Sequence, residues 1–413
     1  MNNQIIICDD ETDRAMKWAD FLEKIPDVAD TYAVSTLSDR GLAQAIGILE
    51  ARRRSARGAA EKDQHSKREA LVETPFDSAA MVIVDYDLID LRAEGDQNAY
   101  AGPSETGERV AYLARCYSRC DTIVALNQFV RQSTFDLRLR GHLSSYADLN
   151  IASDDLMRPT LWLDDQEGYR PWSWPCLGDA PARHRARVEF VEEHMDEPIL
   201  AALGILSGEA RSPAYEAMQR EHLEFLSRDV AETATFRDFV VNSGKGLRAR
   251  DELWEPQAAA RIAAARVHKW LERDVLPGQD ILVDGPHLAL RYPSLIGSTD
   301  TDAALRHTTR RTADGESVGL LSETIAYAAF PHPNWLSRPC WFWPSLANDE
   351  RIVEVGRPWE AADISLVFCE DASDFRIADS AREFRAEVLG PFGRRYVAGL
   401  DGISYEPAVR FAL

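Results

Sequence analysis

Two short stretches of this chain set carboxylates where chemistry can use them. Gln4–Glu11 reads QIIICDDE, an apolar run from Ile5 to Cys8 that stops at Asp9 and Asp10. Ala80–Asp90 reads AMVIVDYDLID, a second apolar run from Met81 to Val84 that meets Asp85 and then Asp87. Short continuous apolar runs bounded by polar residues are the pattern of strands buried on both faces of a parallel sheet. The carboxyl ends of such strands form the ligand crevice. If the two strands are parallel and adjacent, Asp9, Asp10 and Asp85 converge on one rim and repel one another unless a cation joins them. Hard oxygen ligands favour Mg2+, which keeps several waters and takes only one or two carboxylates. The expectation is a small Mg2+ site, with Asp9, Asp10 and Asp85 as ligands, prepared for a phosphate-type group. The plainer alternative is that strand-end acids are solvated punctuation.

The elements needed to position these acids follow from periodicity. Arg14–Ile25 carries Met16, Trp18, Phe21, Leu22 and Ile25 at helical spacing and stops at Pro26. Thr31–Thr36 reads as a second strand and Gly41–Arg54 as a second helix through Leu42, Ile46 and Leu49. Asp121–Asn127, DTIVALN, reads as a fourth strand, and a fifth is expected within Phe135–Asp148, at Asp136–His142. Residues 52–74 form a charged insert with hardly a large apolar side chain. It reads as a solvated helical extension or a loop, with Arg52, Arg53, Arg54 and Arg57 as a candidate basic docking patch. Arg92–Ser104 is a long polar loop on the rim of Asp85 that could lid the acidic site.

This N-terminal stretch resembles the receiver domain of two-component response regulators over roughly the first 150 residues. Cys8-Asp9-Asp10-Glu11 is similar to that family's acidic pair after its first strand. Val84-Asp85-Tyr86-Asp87-Leu88 is similar to its phosphoacceptor strand and loop, with Ile89 where proline is usual. Glu105-Thr106-Gly107-Glu108 precedes Arg109–Cys116, which resembles the Gly-led helix after that loop. The resemblance implies a flavodoxin-like α/β domain with a five-stranded parallel sheet. It further implies Mg2+ at Asp9, Asp10 and Asp85, Asp85 as phosphoacceptor, and Asn127 where the family carries Ser or Thr. The family's lysine after the fifth strand has no counterpart, because no lysine occurs between Lys67 and Lys245. Arg138 or Arg140 could supply charge, but a planar guanidinium does not replace a compact ammonium. The resemblance is therefore to an atypical or pseudo-receiver.

At 413 residues the chain suits two or three domains. The expected divisions are a receiver-like domain over 1–155, a mainly helical region over 156–279 and an α+β region over 280–413. A hydrophobic content of 45% is ample for packed cores. The formal net charge of −21 disfavours nucleic acid and anionic membranes over most of the surface. No apolar stretch approaches the ~18 residues of a membrane span, and the acid-terminated N-terminus does not read as a signal peptide. The six cysteines form no Cys-x-x-Cys pair, so neither a zinc site nor a disulfide framework is expected, and the compartment reads as cytoplasmic.

The second half carries weaker signals. Trp162, Trp172 and Trp174, among prolines, read as an irregular packed segment, with a ligand-stacking platform as the alternative. Helices are expected at Ala186–His194, Ala214–Asp229, Phe236–Ser243 and Gln257–Asp274, the last ending at Pro277-Gly278. Strands are expected at Ile281–Val283, Leu288–Arg291, Ser317–Leu321, Trp341–Trp343, Arg351–Val355 and Ile364–Cys369, before a closing helix at Ile377–Val388. Glu221-His222 reads as surface. Asp284-Gly285-Pro286-His287 is a turn in which Asp and His could share acid–base work, although turns hold Asp and Gly for backbone reasons alone. Arg306, Arg310 and Arg311 form a basic cluster able to bind phosphate or an acidic protein face, against the plain reading of an exposed loop. Phe330–Pro344 packs Trp335, Trp341 and Trp343 among prolines, as a core corner or a partner-binding ridge.

The function these readings point to is cytoplasmic signal transduction, by an atypical receiver-like domain coupled to a C-terminal effector or interaction module. Its expected partners are proteins, a histidine kinase or another subunit, with homo-oligomers open. The alternatives are a Mg2+-dependent phosphoryl-transfer or hydrolytic enzyme, and a structural subunit that docks through a pseudo-receiver.

Overall fold

The structure is a computed structural model that describes residues 3–37, 39–58, 72–88, 105–127, 145–163, 168–172, 174–206, 212–242, 246–248, 251–285, 287–288, 325–347, 349, 366–384 and 395–403. Its first region is a five-stranded sheet of β1 (Gln4–Cys8), β2 (Ala33–Leu37), β3 (Ala79–Asp85), β4 (Thr122–Asn127) and β5 (Leu149–Ala152). The spatial order is β2-β1-β3-β4-β5, and every pairing is parallel. This is the flavodoxin-like order. The order of strand addition reverses between β1 and β3, the place where open α/β sheets present their crevice. Cys8 pairs with Val84, so Asp9 and Asp85 leave their strands at the same rim.

The apolar runs form strands because both of their faces are covered. Ile6, Cys8, Val82, Val84, Ile123 and Ala125 pack with Leu42, Ile46 and Leu49 of a long helix and with Val110 and Leu113 of a later one. Ile5, Ile7, Met81, Ile83, Val124 and Leu126 pack on the other side with Ala15, Trp18, Leu22 and Trp162. In chain order the helices are α1 (Thr12–Leu22), α2 (Pro26–Thr31), α3 (Asp39–Ala56) and α4 (Gly107–Tyr117). Pro26 ends the reach of the first and starts α2, where a missing N–H costs nothing.

The second region is helical and then mixed. Its main helices are α5 (Ala180–Glu193), α6 (Phe236–Val241) and α7 (Ala258–Trp270). Val191, Phe236, Phe239, Ile262, Val267 and Trp270 belong to the same apolar cluster as Leu49, Val110 and Leu113, so one core runs through both regions. After α7 a π-helical turn, Leu271–Val275, and a 3-10 turn, Leu276–Gly278, bring the chain to Pro277-Gly278. Leu282–Asp284 pairs antiparallel with Cys340–Phe342. A small four-stranded sheet follows, in the order Asp374–Ile377, Leu366–Cys369, Arg395–Val397 and Arg382–Phe384.

Several expectations give way. The fifth strand is Leu149–Ala152, downstream of the expected Asp136–His142, which lies outside the described residues. The stretch expected as a closing helix at Ile377–Val388 contains strand residues to Ile377 and again at Arg382–Phe384, fixed by antiparallel pairing to Leu366–Cys369 and Arg395–Val397. The helix expected over Ala214–Asp229 is broken into Pro213–Glu216, Arg220–Phe225 and a 3-10 turn. His222, expected at the surface, is buried, with its carbonyl accepting from Trp270 Nε1 at 3.2 Å. The basic docking patch divides: Arg54 and Arg57 stay exposed, while Arg52 and Arg53 turn inward. Arg52 is buried, forks onto both carboxylate oxygens of Asp77 at 2.8 Å and stacks 4.4 Å from the Trp254 ring centre. Arg53 and Arg57 both reach Asp251. Residues 59–71 of the insert and the expected lid Arg92–Ser104 are outside the described residues. Among the described residues no helix is long and apolar enough to cross a membrane.

Candidate functional site

The three acids expected on one rim converge. Asp9, Asp10 and Asp85 each offer a carboxylate oxygen, and these oxygens lie within 4.8 Å of one another. Asp9 and Asp85 are both 0 % exposed. The chain supplies its own cation to them. Arg14, in the first turn of α1, donates from Nε to Asp9 Oδ2 at 2.6 Å and from Nη2 to Asp9 Oδ1 at 2.6 Å. The same Nη2 reaches Asp85 Oδ2 at 2.7 Å and Asp10 Oδ1 at 3.3 Å, and Nη1 stands 3.1 Å from Glu11 Oε1. One guanidinium thus touches four carboxylates. Asp9 Oδ1 also accepts the Glu11 N–H at 2.8 Å, which turns the chain from β1 into α1.

A cation in the first turn of a helix opposes the helix dipole, so Arg14 sits there because of the acids. Helical side chains lean toward the helix N-terminus, which aims this one back at the end of β1. That lean was the available sequence signal: an arginine five residues after Asp9 and four after Asp10, on a helix that starts between them. The reading of residues 14–25 for their apolar stripe passed over it.

The electrostatics are unbalanced. Burial and the neighbouring Asp9 push the Asp85 carboxyl up to about 7, with Arg14 and the Asp87 backbone N–H pulling the other way. Burial alone would lower Arg14, but its hydrogen bonds and attraction to Asp9 and its attraction to Asp85 raise it above its ordinary value. The donor chemistry of the three carboxylates suits a hard cation. With Arg14 seated, however, the residues do not fit one. Mg2+ demands oxygens at about 2.0–2.1 Å in a near-octahedral shell, and all three carboxylates already hold Arg14 Nη2, through Asp9 Oδ1, Asp85 Oδ2 and Asp10 Oδ1.

The rim is tied to the second region through α4. Asp87–Leu88 pairs with Glu105–Thr106, and the Gly107 N–H donates to Tyr86 O at 2.8 Å. A Cβ at Gly107 would stand 2.3 Å from Asp85 O and 2.8 Å from Tyr86 Cα, so only glycine lets the helix start this close to the strand end. Thr106 caps it by accepting the Arg109 N–H at 3.3 Å. About one and a half turns on, the Tyr112 hydroxyl donates to Asp251, a fully buried acid that Arg53 Nε also reaches at 3.0 Å.

No protein-family model, no curated protein and no solved structure matches this chain. Its chemistry has to be read from its own residues.

The remaining candidates are placed as follows. Asn127 ends β4, paired with Ala152 of β5. Trp335 and Trp341 are buried, the first stacked against Phe236 at 6.1 Å, so they build a core corner and leave no ridge for a partner; Trp343 is half-buried. Arg306, Arg310 and Arg311, like Arg138 and Arg140, lie outside the described residues. Lys269 is buried, donating to the carbonyls of Ser145 at 2.7 Å and Ala147 at 2.9 Å, which precede β5 at the end away from the acids. All six cysteines are free and buried.

A second buried acid stands at the expected Asp284–His287 turn. Asp284 is 0 % exposed. Its Oδ1 lies 2.6 Å from His287 Nδ1, and its Oδ2 accepts Trp172 Nε1 at 2.7 Å and Arg338 Nε at 2.9 Å. Burial pushes this acid up, but His287, Arg338 and Trp172 together outweigh burial and hold it far below the usual carboxylate range.

Proposed function

We propose that this chain is a cytoplasmic signal-transduction protein in which an atypical receiver-like domain is coupled to a C-terminal effector or interaction region. The observation that carries the reading is the run of α4 from the acidic rim, at Gly107, to the buried Asp251 of the second region, at Tyr112. A change in charge or geometry at Asp85 bears directly on the start of that helix, and the helix is keyed to the second region by a buried hydrogen bond. Switches of this kind are local electrostatic events that bias a packed element. The partner that reads the second region is a protein, since a net charge of −21 opposes nucleic acid and anionic lipid over most of the surface. The buried free thiols suit a reducing compartment.

Hydrogen–deuterium exchange on Asp85→Asn beside the wild type tests the coupling. Altered protection is expected in 107–117 and in 251–270 as well as at the rim. Changes confined to 9–14 and 85–88 would overturn the reading and leave the rim a local structural feature.

Phosphoryl transfer at Asp85 is the second reading, favoured by the convergence of three carboxylates. Acetyl phosphate with Mg2+, followed by intact mass, separates the two. Signalling through docking leaves wild type and Asp85→Asn alike unmodified. An adduct on wild type alone would assign Asp85 the ordinary acceptor chemistry.

A further inference from the structure

The position of Arg14 has a chemical meaning that the acids alone lack. Three carboxylates gathered on a rim are ordinarily held together by a cation from solution. Here the cation is covalently part of the chain, delivered by the first turn of α1, and it contacts the same three carboxylates that a divalent ion would draw on. The contacts are close and forked: Nε and Nη2 span Asp9 at 2.6 Å each, and Nη2 continues to Asp85 at 2.7 Å. An arginine fork across a carboxylate is among the strongest charge-assisted arrangements a protein makes. A guanidinium also never loses its charge in proteins, so the competition persists at every physiological pH.

We infer that Arg14 is a built-in replacement for the divalent cation, so that the folded chain excludes Mg2+ from its acidic rim and keeps that rim assembled without metal. The inference rests on the signalling reading only in taking the rim as the input. It deepens that reading by naming what governs the input: the seating of Arg14, in place of metal occupancy. A stimulus that withdraws Arg14, such as a partner's acidic group competing for its guanidinium, opens the rim and leaves Asp9, Asp10 and Asp85 mutually repelling beside the start of α4.

The test uses the full chain and Mn2+ as the probe, with binding read from the loss of the free-ion electron paramagnetic resonance signal. Wild type is expected to bind no Mn2+ at the rim at concentrations where Arg14→Gln does, with at least about a tenfold difference in affinity, because a contacting like charge has been removed. The double variant Arg14→Gln with Asp85→Asn is expected to lose that gain, which places the ion among the acids. Thermal melting supplies a second readout. Arg14→Gln is expected to melt below wild type in chelator and to recover with Mg2+, while the wild-type midpoint does not move. If Arg14→Gln cannot be obtained folded without metal, the wild-type titration still decides. Wild type binding Mn2+ as tightly as the variant, with the binding lost in Asp85→Asn, would overturn the inference. Failure of the exchange experiment above would remove the coupling while leaving the Mn2+ result standing, so the two ideas fail separately.

Discussion

Asp85 and Asp284 are both entirely buried aspartates that face an arginine, yet the protein pulls their acidities in opposite directions. Asp85 shares the single guanidinium of Arg14 with Asp9, Asp10 and Glu11. Asp284 receives Arg338, the Trp172 indole and His287, and its arginine is shared, among the described residues, with Glu272 at 3.3 Å. Burial acts against the charge of both. The ratio of donors to carboxylates decides which one is nevertheless held ionised. The lesson is that a buried acid marks a site open to change when its partners are too few, and a structural pin when they suffice. By that measure the rim of β1 and β3 is where the proposed switch would act, and the Asp284 cluster is a clamp joining Trp172, Leu282–Asp284 and Arg338.

The comparison breaks most visibly if the clamp is expendable. Asp284→Ala removes the acceptor of three side chains and leaves Arg338 buried beside it. A loss of about 3–5 kcal/mol is expected, the usual cost of breaking a buried ionic network, read from denaturant midpoints. Asp85→Asn should cost far less, because it relieves repulsion among the rim acids and keeps an oxygen acceptor. Equal losses at the two positions would show that donor supply does not distinguish them.

Gly107 sharpens the contrast from the other side, since it joins the rim to the rest. Gly107→Ala drives a methyl into the Asp85 and Tyr86 backbone. Backbone atoms cannot turn aside as a side chain can, so roughly 3 kcal/mol of overpacking is expected. The first turn of α4 should lose exchange protection with it. A variant as stable as wild type would mean that α4 is free to shift along the rim, which would loosen the proposed coupling.

How much of this was legible beforehand divides along the same line. The runs Ile5–Cys8 and Met81–Val84 announced their strands because both faces of a central parallel strand are covered, and their terminal acids were placed by that alone. Leu149–Ala152 was missed because four residues hold too little pattern to compete with the longer Asp136–His142. The strands at Asp374–Ile377 and Arg382–Phe384 are set by antiparallel pairing to Leu366–Cys369 and Arg395–Val397, and segments of three or four residues carry too little pattern of their own to show it. Arginine misled most. Arg52, Arg53 and Arg57 read as solvated charge, and Arg14 as the edge of a helix. Yet the guanidinium fork can enter a core whenever a carboxylate and an aromatic face wait for it, and Asp77, Trp254, Asp251 and the rim acids do so here. Sequence shows the charge, and only the assembled fold shows which acid it answers.

The smallest effect is the most specific, because it concerns the shape of a pH profile. Asp85 has a folded value near 7, well above the ordinary aspartate value of 3.8. Between those two values the folded chain holds a proton that the unfolded chain has released. Proton linkage then makes this group's contribution largest below the unfolded value and diminishes it as pH rises through about 7. Wild type measured against Asp85→Asn should therefore lose roughly 1–2 kcal/mol from pH 5 to pH 8, a discounted share of what so large a displacement allows. Asp284 carries the opposite sign. Its acidity is depressed, so its contribution is fully present above the ordinary aspartate range and is lost only as pH falls below it. Wild type measured against Asp284→Asn should be level across the same window and decline in acid. Paired urea titrations of the three proteins at several pH values read both shapes in one data set. A level Asp85 difference would mean that Arg14 alone satisfies that carboxylate, and the rim would then be a second clamp.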